Sequence, residues 1–292
     1  MTKNRRDAVF IGLLFLLPTM IGLSVFRLVP IVWAFAMSFM RWQIFDTPSW
    51  VGFDNYLHIL ASPTSGRVFM NTLWFMAIYV PGVIIIGLVL AVLLNNGLRS
   101  SAFFRGAFFL PYISSTVAVV LVWKWIFSTR FGLLNNLLLW FGVSSPPAWL
   151  ADPVLALPAV AIVSVWKDSG FFMLLLLAGL QTIDTSVYEA ARMDGARKLR
   201  QFFEITIPLI SGSIFFVLIM ALVRSTQTFE ITYALTGGGP NGASTTLAFF
   251  IYENAFVHFQ MGYASALAYL LCFAIGLLTL VNFYFRRRWV HE

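Results

Sequence analysis

Lys167 and Asp168 lie inside one otherwise apolar stretch of this 292-residue chain, and Arg224 and Glu230 inside another. At the centre of a bilayer such a group costs about 2.5–3.5 kcal/mol on insertion scales, so it faces a cavity or a partner. Around Arg224 the run Ser225-Thr226-Gln227-Thr228-Phe229-Glu230 adds hydroxyl, amide and carboxylate groups beside an aromatic ring, and Tyr233 lies further out. The set suits hydrogen bonding to a polyhydroxylated ligand, with Trp166 either a stacking platform or a packing residue. It equally suits an ion-pair network, Arg224 or Lys167 with Asp168 or Glu230, that only ties segments together. Arg224 and Gln227, three apart, adjoin on a helix, Glu230 is a further turn outward, and the consecutive Lys167 and Asp168 do not face each other. No nucleophile stands beside a base, and His58, His258 and His291 are scattered without ligand spacing, which argues against an enzyme.

The elements that must position these groups are membrane spans. The chain is 60% hydrophobic and 11% charged, whereas soluble domains carry roughly 25% charged residues. A spanning helix needs about 20 apolar residues, and six segments qualify: 8–26, 72–94, 106–127, 154–180, 207–235 and 263–285. At 1.5 Å per residue, Lys167 and Arg224 lie roughly 21 and 24 Å above the cytoplasmic ends of their spans, so they share a depth in the outer half of the bilayer.

The formal net charge of +7 is a topology signal and not a nucleic-acid patch. Lys3, Arg5 and Arg6, then Arg99 and Arg105, then Arg192, Arg197, Lys198 and Arg200, then Arg286 to Arg288 occupy alternate junctions, while the opposite connections hold Arg41, Arg67 and Arg130. The positive-inside rule places the first four groups, and both termini, in the cytoplasm. The basic start resembles a secretory signal, but no small-x-small cleavage site follows and the apolar character runs on to Phe39, so the first span is expected to be a retained anchor. The lone Cys272 excludes an intrachain disulfide and is expected to pack inside the last span. Trp42 and Trp50 are expected at headgroup level, a short helix over 133–141 on the outer surface, and no internal repeat is evident.

The glycine cluster Thr236-Gly237-Gly238-Gly239-Pro240-Asn241-Gly242 is not a nucleotide P-loop, which needs a lysine after its last glycine. None of Lys3, Lys124, Lys167 and Lys198 follows a glycine, and a tight external turn is expected instead.

Between the fourth and fifth spans, 184–208 forms a charged, helix-forming insert. Asp184 or Thr185 can cap a helix, with Glu189 near its first turn, where the dipole favours a carboxylate. Ala190 and Ala191 present a face that allows close approach, and Gly195 permits a break. In a second helix Leu199, Phe202 and Phe203 form an apolar stripe, and Pro208, tolerated near a helix start, marks the beginning of the next span. The pattern fits a docking surface or an amphipathic helix lying on the headgroups.

Glu189-Ala190-Ala191, then Gly195, then Ile205-x-Ile207-Pro208 resembles the EAA motif, E-A-A-x-x-x-G followed by I-x-L-P, of permease subunits from binding-protein-dependent ABC importers. Ile207 stands where Leu is usual. Leu110-Pro111, Val165-Trp166 and Leu235 to Pro240 look like the carbohydrate-uptake class, which includes the maltose and glycerol-3-phosphate systems. The resemblance implies an all-α polytopic membrane protein with six transmembrane helices, the type I importer permease fold, in a bacterial or archaeal cytoplasmic (inner) membrane. It implies a non-catalytic half of a pathway for a sugar or related polyol, working with a second permease, generally a different chain, two ATPase subunits and an extracytoplasmic sugar-binding protein. ATP and Mg²⁺ would sit on the ATPase subunits, with no cofactor on this chain. Glu189 would make the polar contact to the ATPase, Ala190, Ala191 and Asp194 belong to its motif face, and Gly195 would allow the bend. The other reading of the spans alone is an ion-coupled secondary transporter, for which inverted repeats and helices broken at mid-depth would speak.

Overall fold

The structure is a computed structural model that describes residues 2–44, 46–95 and 101–289, with side chains described over 13–44, 46–95 and 102–284. Arg99 and His291 lie outside the described residues, as do the side chains of Lys3, Arg5, Arg6 and Arg286 to Arg288. The chain divides into two compact units, 1–62 with 251–270 and 63–250 with 271–292.

In the first unit, α1 (Thr2–Leu23) passes through a π-helical turn at Ser24–Leu28 into α2 (Val29–Ser38), so the first span runs well past the 26 expected for it. Its most apolar window, within Leu13–Ser38, has none of its residues buried, which fits a lipid-facing surface. Phe39 then packs against Phe35, Trp50, Phe53 and Tyr56. A two-stranded antiparallel pair, β1 (Met40–Arg41) with β2 (Ser49–Trp50), and α3 (Asp54–Ala61) follow. Asn55 Nδ2 fixes α3 by donating to the Ser38 and Met40 carbonyls, both at 2.9 Å. The unit also holds the π-helical turn Glu253–Val257 and the start of the last helix.

The second unit is built on two long helices, α4 (Pro63–Asn95) and, further along, Ala156–Leu180. Between them come α5 (Ser101–Ile113), α6 (Thr116–Ile126) and the short α7 (Leu133–Trp140), after which Ala156–Leu180 is α8. In α8 61% of the most apolar window is buried, against 33% in α4, so α8 is the central helix. A helix apolar on all sides belongs inside; Val160, Val163, Phe172, Met173 and Leu176 are buried against Phe75, Tyr79 and Val83 of α4. Its neighbours approach where side chains are missing. A Cβ on Gly170 would overlap the backbone carbonyl of Phe108 in α5, and one on Gly87 would press on the Phe172 and Met173 backbone. Small residues at such crossings let membrane helices pack without a hydrophobic drive.

The third and fifth spans are broken. Ala102–Ile113 and Thr116–Ile126 meet at 94°, so the single helix expected over 106–127 is two. Pro111 removes an intrahelical donor, the Ser114 hydroxyl turns back to the Leu110 carbonyl at 2.7 Å, and Ser115 is extended at ψ 127°. The insert contains α9 (Thr185–Met193), α10 (Lys198–Gln201), a π-helical turn at Phe202–Thr206 and α11 (Ile207–Leu209), and a 69° bend then leads into α12 (Ser211–Thr226). Pro208 therefore stands just before the bend and not at the start of the spanning helix. The span expected to reach 235 stops at Thr226; α13 (Glu230–Leu235) is a separate helix, followed by α14 (Leu247–Tyr252) and α15 (Met261–Trp289). Four helices are long and apolar enough to cross a membrane, and six if each bent pair counts as one, among the described residues. Cys272, expected to pack inside, is exposed on α15.

The glycine cluster is a turn, with positive φ at Gly237, Gly238, Asn241 and Gly242. It is tied down internally: Asn71 Nδ2 of α4 donates to the Gly242 and Thr245 carbonyls at 3.0 and 3.1 Å, and the Ser244 hydroxyl to the Gly239 carbonyl at 2.6 Å.

Local chemistry sets the insert. Asp184 is the N-cap of α9, accepting from the Ser186 amide at 2.8 Å, which places Glu189 beyond the first turn, where no dipole effect reaches it. At the other end Gly195, φ +76°, donates to the Arg192 carbonyl at 3.0 Å and Ala196 to that of Ala191 at 2.9 Å. This is the Schellman pattern that a residue without Cβ completes.

Gly170→Leu is expected to destabilise the second unit by about 1–3 kcal/mol, because a helix backbone cannot yield as a side chain can; thermal unfolding of the detergent-purified protein measures it. The Ser186 amide, and after it the Ser186 hydroxyl, hold the Asp184 carboxyl below the usual range. Their contribution to α9 is complete above the ordinary carboxylate pKa and lost as pH falls through the lowered value. The protection of the Ser186 amide against hydrogen exchange, taken relative to the intrinsic rate at each pH, should therefore fall on acidification in the native protein and change much less in Asp184→Asn, which keeps a neutral cap.

Candidate functional site

A cavity of about 400 Å³ in the second unit is lined by Thr116, Ser164, Lys167, Asp168, Met220, Val223, Arg224, Gln227, Thr228, Phe229, Glu230 and Ile231. It gathers five of the seven residues the sequence singled out for a path: Lys167, Asp168, Arg224, Gln227 and Glu230. The consecutive Lys167 and Asp168 of α8 both line it. Gln227 and Glu230 are exposed at its edge and do not share a helix, since Gln227 caps α12 and Glu230 opens α13.

Trp166 and Tyr233 are elsewhere. Trp166 lines a second, larger cavity of about 620 Å³, almost wholly apolar, beside Trp123, whose ring meets it edge-on at 5.5 Å. Tyr233 stacks on Phe229 at 5.5 Å. The smaller cavity is the better candidate because it holds the convergent polar groups that orient a ligand.

The hydroxyls also divide. Ser225 and Thr226 are buried and bonded to the Leu222 and Val223 carbonyls, each at 2.7 Å, and Ser164 to the Val160 carbonyl at 2.8 Å. These satisfy helix ends and helix backbone. Thr228 bonds back to the Arg224 carbonyl at 3.4 Å, and its own carbonyl accepts from the Thr246 hydroxyl at 2.9 Å.

The charges form a network on the cavity wall. Tyr79 of α4 donates to Asp168 Oδ2 at 2.5 Å, and Arg224 Nη1 stands 3.9 Å from Asp168 Oδ1. Arg224 Nη2 donates to the Tyr112 hydroxyl at 2.5 Å, with the guanidinium 5.0 Å from the Tyr112 ring and 4.9 Å from the Phe171 ring. Lys167 Nζ donates to the Tyr112 carbonyl at 3.2 Å. The Arg224–Asp168 pair, one of those weighed from the sequence, is thus part of the cavity's wall. Tyr79 and Tyr112 were missed, although a tyrosine hydroxyl within an apolar span, which must find a partner there, was a signal that could have found them.

In the insert, Ala191 is buried while Glu189, Ala190, Asp194 and Gly195 are exposed. Of the apolar stripe on the second helix, Leu199 is 74% and Phe203 65% exposed and Phe202 is half-buried, and Met193 beside Asp194 is 89% exposed. Two polar bonds tie the insert together: Gln201 Nε2 of α10 donates to the carbonyl of Ala196 in the preceding connection at 2.7 Å, and the hydroxyls of Tyr188 in α9 and Thr206 in the π-helical turn meet at 3.0 Å.

Residues 65–289 match the family described as binding-protein-dependent transport system inner membrane component. The chain is 36% identical over 260 residues to the sulfoquinovosyl glycerol transport system permease protein of Agrobacterium fabrum, covering 88% of this chain and 84% of that one. It is 34% identical over 281 residues to the lactose transport system permease protein of Rhizobium radiobacter, covering 94% of each. Its fold is shared with a chain of a bacterial ABC transporter involved in the import of the acidic polysaccharide alginate, at a TM-score of 0.84 and 24% identity over 97% of this chain and 96% of that one. A family match over most of the chain and relatives above 30% identity along nearly all of it make this protein a member of the binding-protein-dependent transport system inner membrane component family, a multi-pass permease subunit of an ABC importer.

Proposed function

We propose that this subunit forms half of an inward pathway for a sugar or related polyol, with the cavity beside Arg224 as its polar section and 184–208 as the seat for an ATPase subunit. The observation that carries the first part is the cavity itself: Gln227 and Glu230 stand exposed beside the Phe229 ring, within a wall of spanning helices. Amide and carboxylate groups next to an aromatic face suit hydroxyl-rich ligands, and relatives named for lactose and sulfoquinovosyl glycerol transport support that class.

The second part rests on the insert's surface. Met193, Leu199 and Phe203 are exposed on a segment that also carries Arg192, Arg197, Lys198 and Arg200. Apolar side chains left outside on so polar an element mark a contact with another protein. Glu189, Ala190, Asp194 and Gly195 complete that face in this reading, and Pro208 stiffens the exit toward α12. The working assembly would contain a second permease, generally a different chain, two ATPase subunits carrying ATP and Mg²⁺, and an extracytoplasmic sugar-binding protein. This chain would hold no nucleotide and catalyse no reaction, and both termini would lie in the cytoplasm. The broken third and fifth spans are a feature that secondary transporters share, but membership in a family dependent on a binding protein disfavours an ion-coupled mechanism.

Glu189→Lys and Gly195→Pro are expected to insert normally and to lose substrate-stimulated ATP hydrolysis; normal stimulation in both variants removes the docking role. Gln227→Leu should lower ATP-driven uptake into proteoliposomes while basal hydrolysis by the assembled complex persists. Uptake indifferent to Gln227 and Glu230 substitutions would place the path elsewhere.

A further inference from the structure

Both cations of the cavity converge on one residue, and it is not an acid. Lys167, from α8, donates to the Tyr112 carbonyl at 3.2 Å and lies 5.6 Å from the centre of its ring. Arg224, from α12, donates to the Tyr112 hydroxyl at 2.5 Å and sits over its ring, which in turn is stacked on Phe171 at 4.8 Å. Tyr112 is in the last turn of α5, just before the 94° break.

The position explains the attachment. The last four carbonyls of a helix lack the amide four residues on that would otherwise donate to them, and inside a bilayer water does not substitute. The residue that would have donated to Tyr112 is Thr116, which instead opens α6 and lines the cavity on the far side of the break. A cation at a helix C-terminus also opposes the negative end of its dipole. Lys167 makes no ion pair within 4.0 Å among the described residues, while Asp168 is taken up by Tyr79 and Arg224.

We propose that Lys167 and Arg224 are positioning residues that clamp Tyr112 from two helices and so set the break in the third span, and with it the part of the cavity wall that Thr116 forms. Their charges are directed inward at the fold and not at the ligand. What remains for a ligand at the cavity edge is the Gln227 amide, the Glu230 carboxylate and the Phe229 ring, a set for an uncharged polyol. The inference rests on the cavity being the path only for this last consequence; the clamp itself is a property of the fold.

The test uses the full importer complex in nanodiscs, in a Cys272→Ala background that removes the sole native cysteine. Thr116→Cys reports the clamped wall and Gln227→Cys, in a separate protein, reports the opposite edge, each by its rate of reaction with a water-soluble maleimide. Adding Lys167→Met should raise the rate at position 116 about tenfold or more, the scale of losing one charge-assisted hydrogen bond, and change that at 227 less than about twofold. Lys167→Arg, which keeps a donor cation, should stay within about twofold at both. Tyr112→Phe, which removes only the hydroxyl, should raise the rate at 116 in the same direction, and decides the matter if Lys167→Met fails to assemble. An unchanged rate at 116, or equal rises at both positions, overturns the clamp. Failure of the path reading would show separately, as uptake indifferent to Gln227→Leu while the rate at 116 still responds to Lys167→Met.

Discussion

Inside a bilayer every backbone donor and acceptor has to find its partner within the protein, yet the third span of this chain is broken between Ile113 and Thr116, and α12 stops at Thr226 before the separate helix α13. At both places side-chain donors bond to carbonyls of the helix ends, in addition to the backbone amides that reach Leu110 and Arg224. At the third span Ser114 serves the Leu110 carbonyl and Lys167 that of Tyr112. At the end of α12, Ser225, Thr226 and Thr228 serve Leu222, Val223 and Arg224, and Thr246 serves Thr228. The polar residues of these spans are therefore first the means by which irregular backbone survives in an apolar solvent.

The cavity is a by-product of the same breaks. Where a helix turns aside, the space it would have filled is left open, and irregular backbone at this depth is tolerated only where it is buried in protein or borders such a cavity. Its wall inherits the side chains that repaired the helix ends, which is why Lys167, Asp168 and Arg224 appear there together. The central position of α8 makes the arrangement rigid: Tyr79 from one side and Arg224 from another meet Asp168, and the bare backbone at Gly170 lets α5 lie close enough for Lys167 to reach Tyr112. Removing one member of such a linked set leaves the others with unmet charge, so their contributions are not separable residue by residue.

The insert follows the opposite logic. It lies on the way out of α8 and its helices are joined by few internal contacts, chiefly Gln201 to Ala196 and Tyr188 to Thr206. Its apolar residues are outside and its polar bonds inside, the reverse of a helix that packs on its own chain.

The sequence by itself determined the class of this protein, its apolar spans, the capped helix at Asp184 and the glycine that ends it, because those follow from composition, the length of a bilayer crossing and local backbone chemistry. It also marked Lys167, Asp168 and Arg224 as residues needing a reason. It could not give that reason, since the partners of Arg224 and Lys167 lie on other helices, and a serine before a break reads the same as a serine for a ligand. The outward turn of Leu199 and Phe203 was equally hidden, because an apolar stripe has one pattern whether it packs on its own chain or waits for another. Only the tertiary structure decided these points: the break angles and helix crossings fix which groups come within hydrogen-bonding distance, and that is a matter of contacts between residues far apart in the chain.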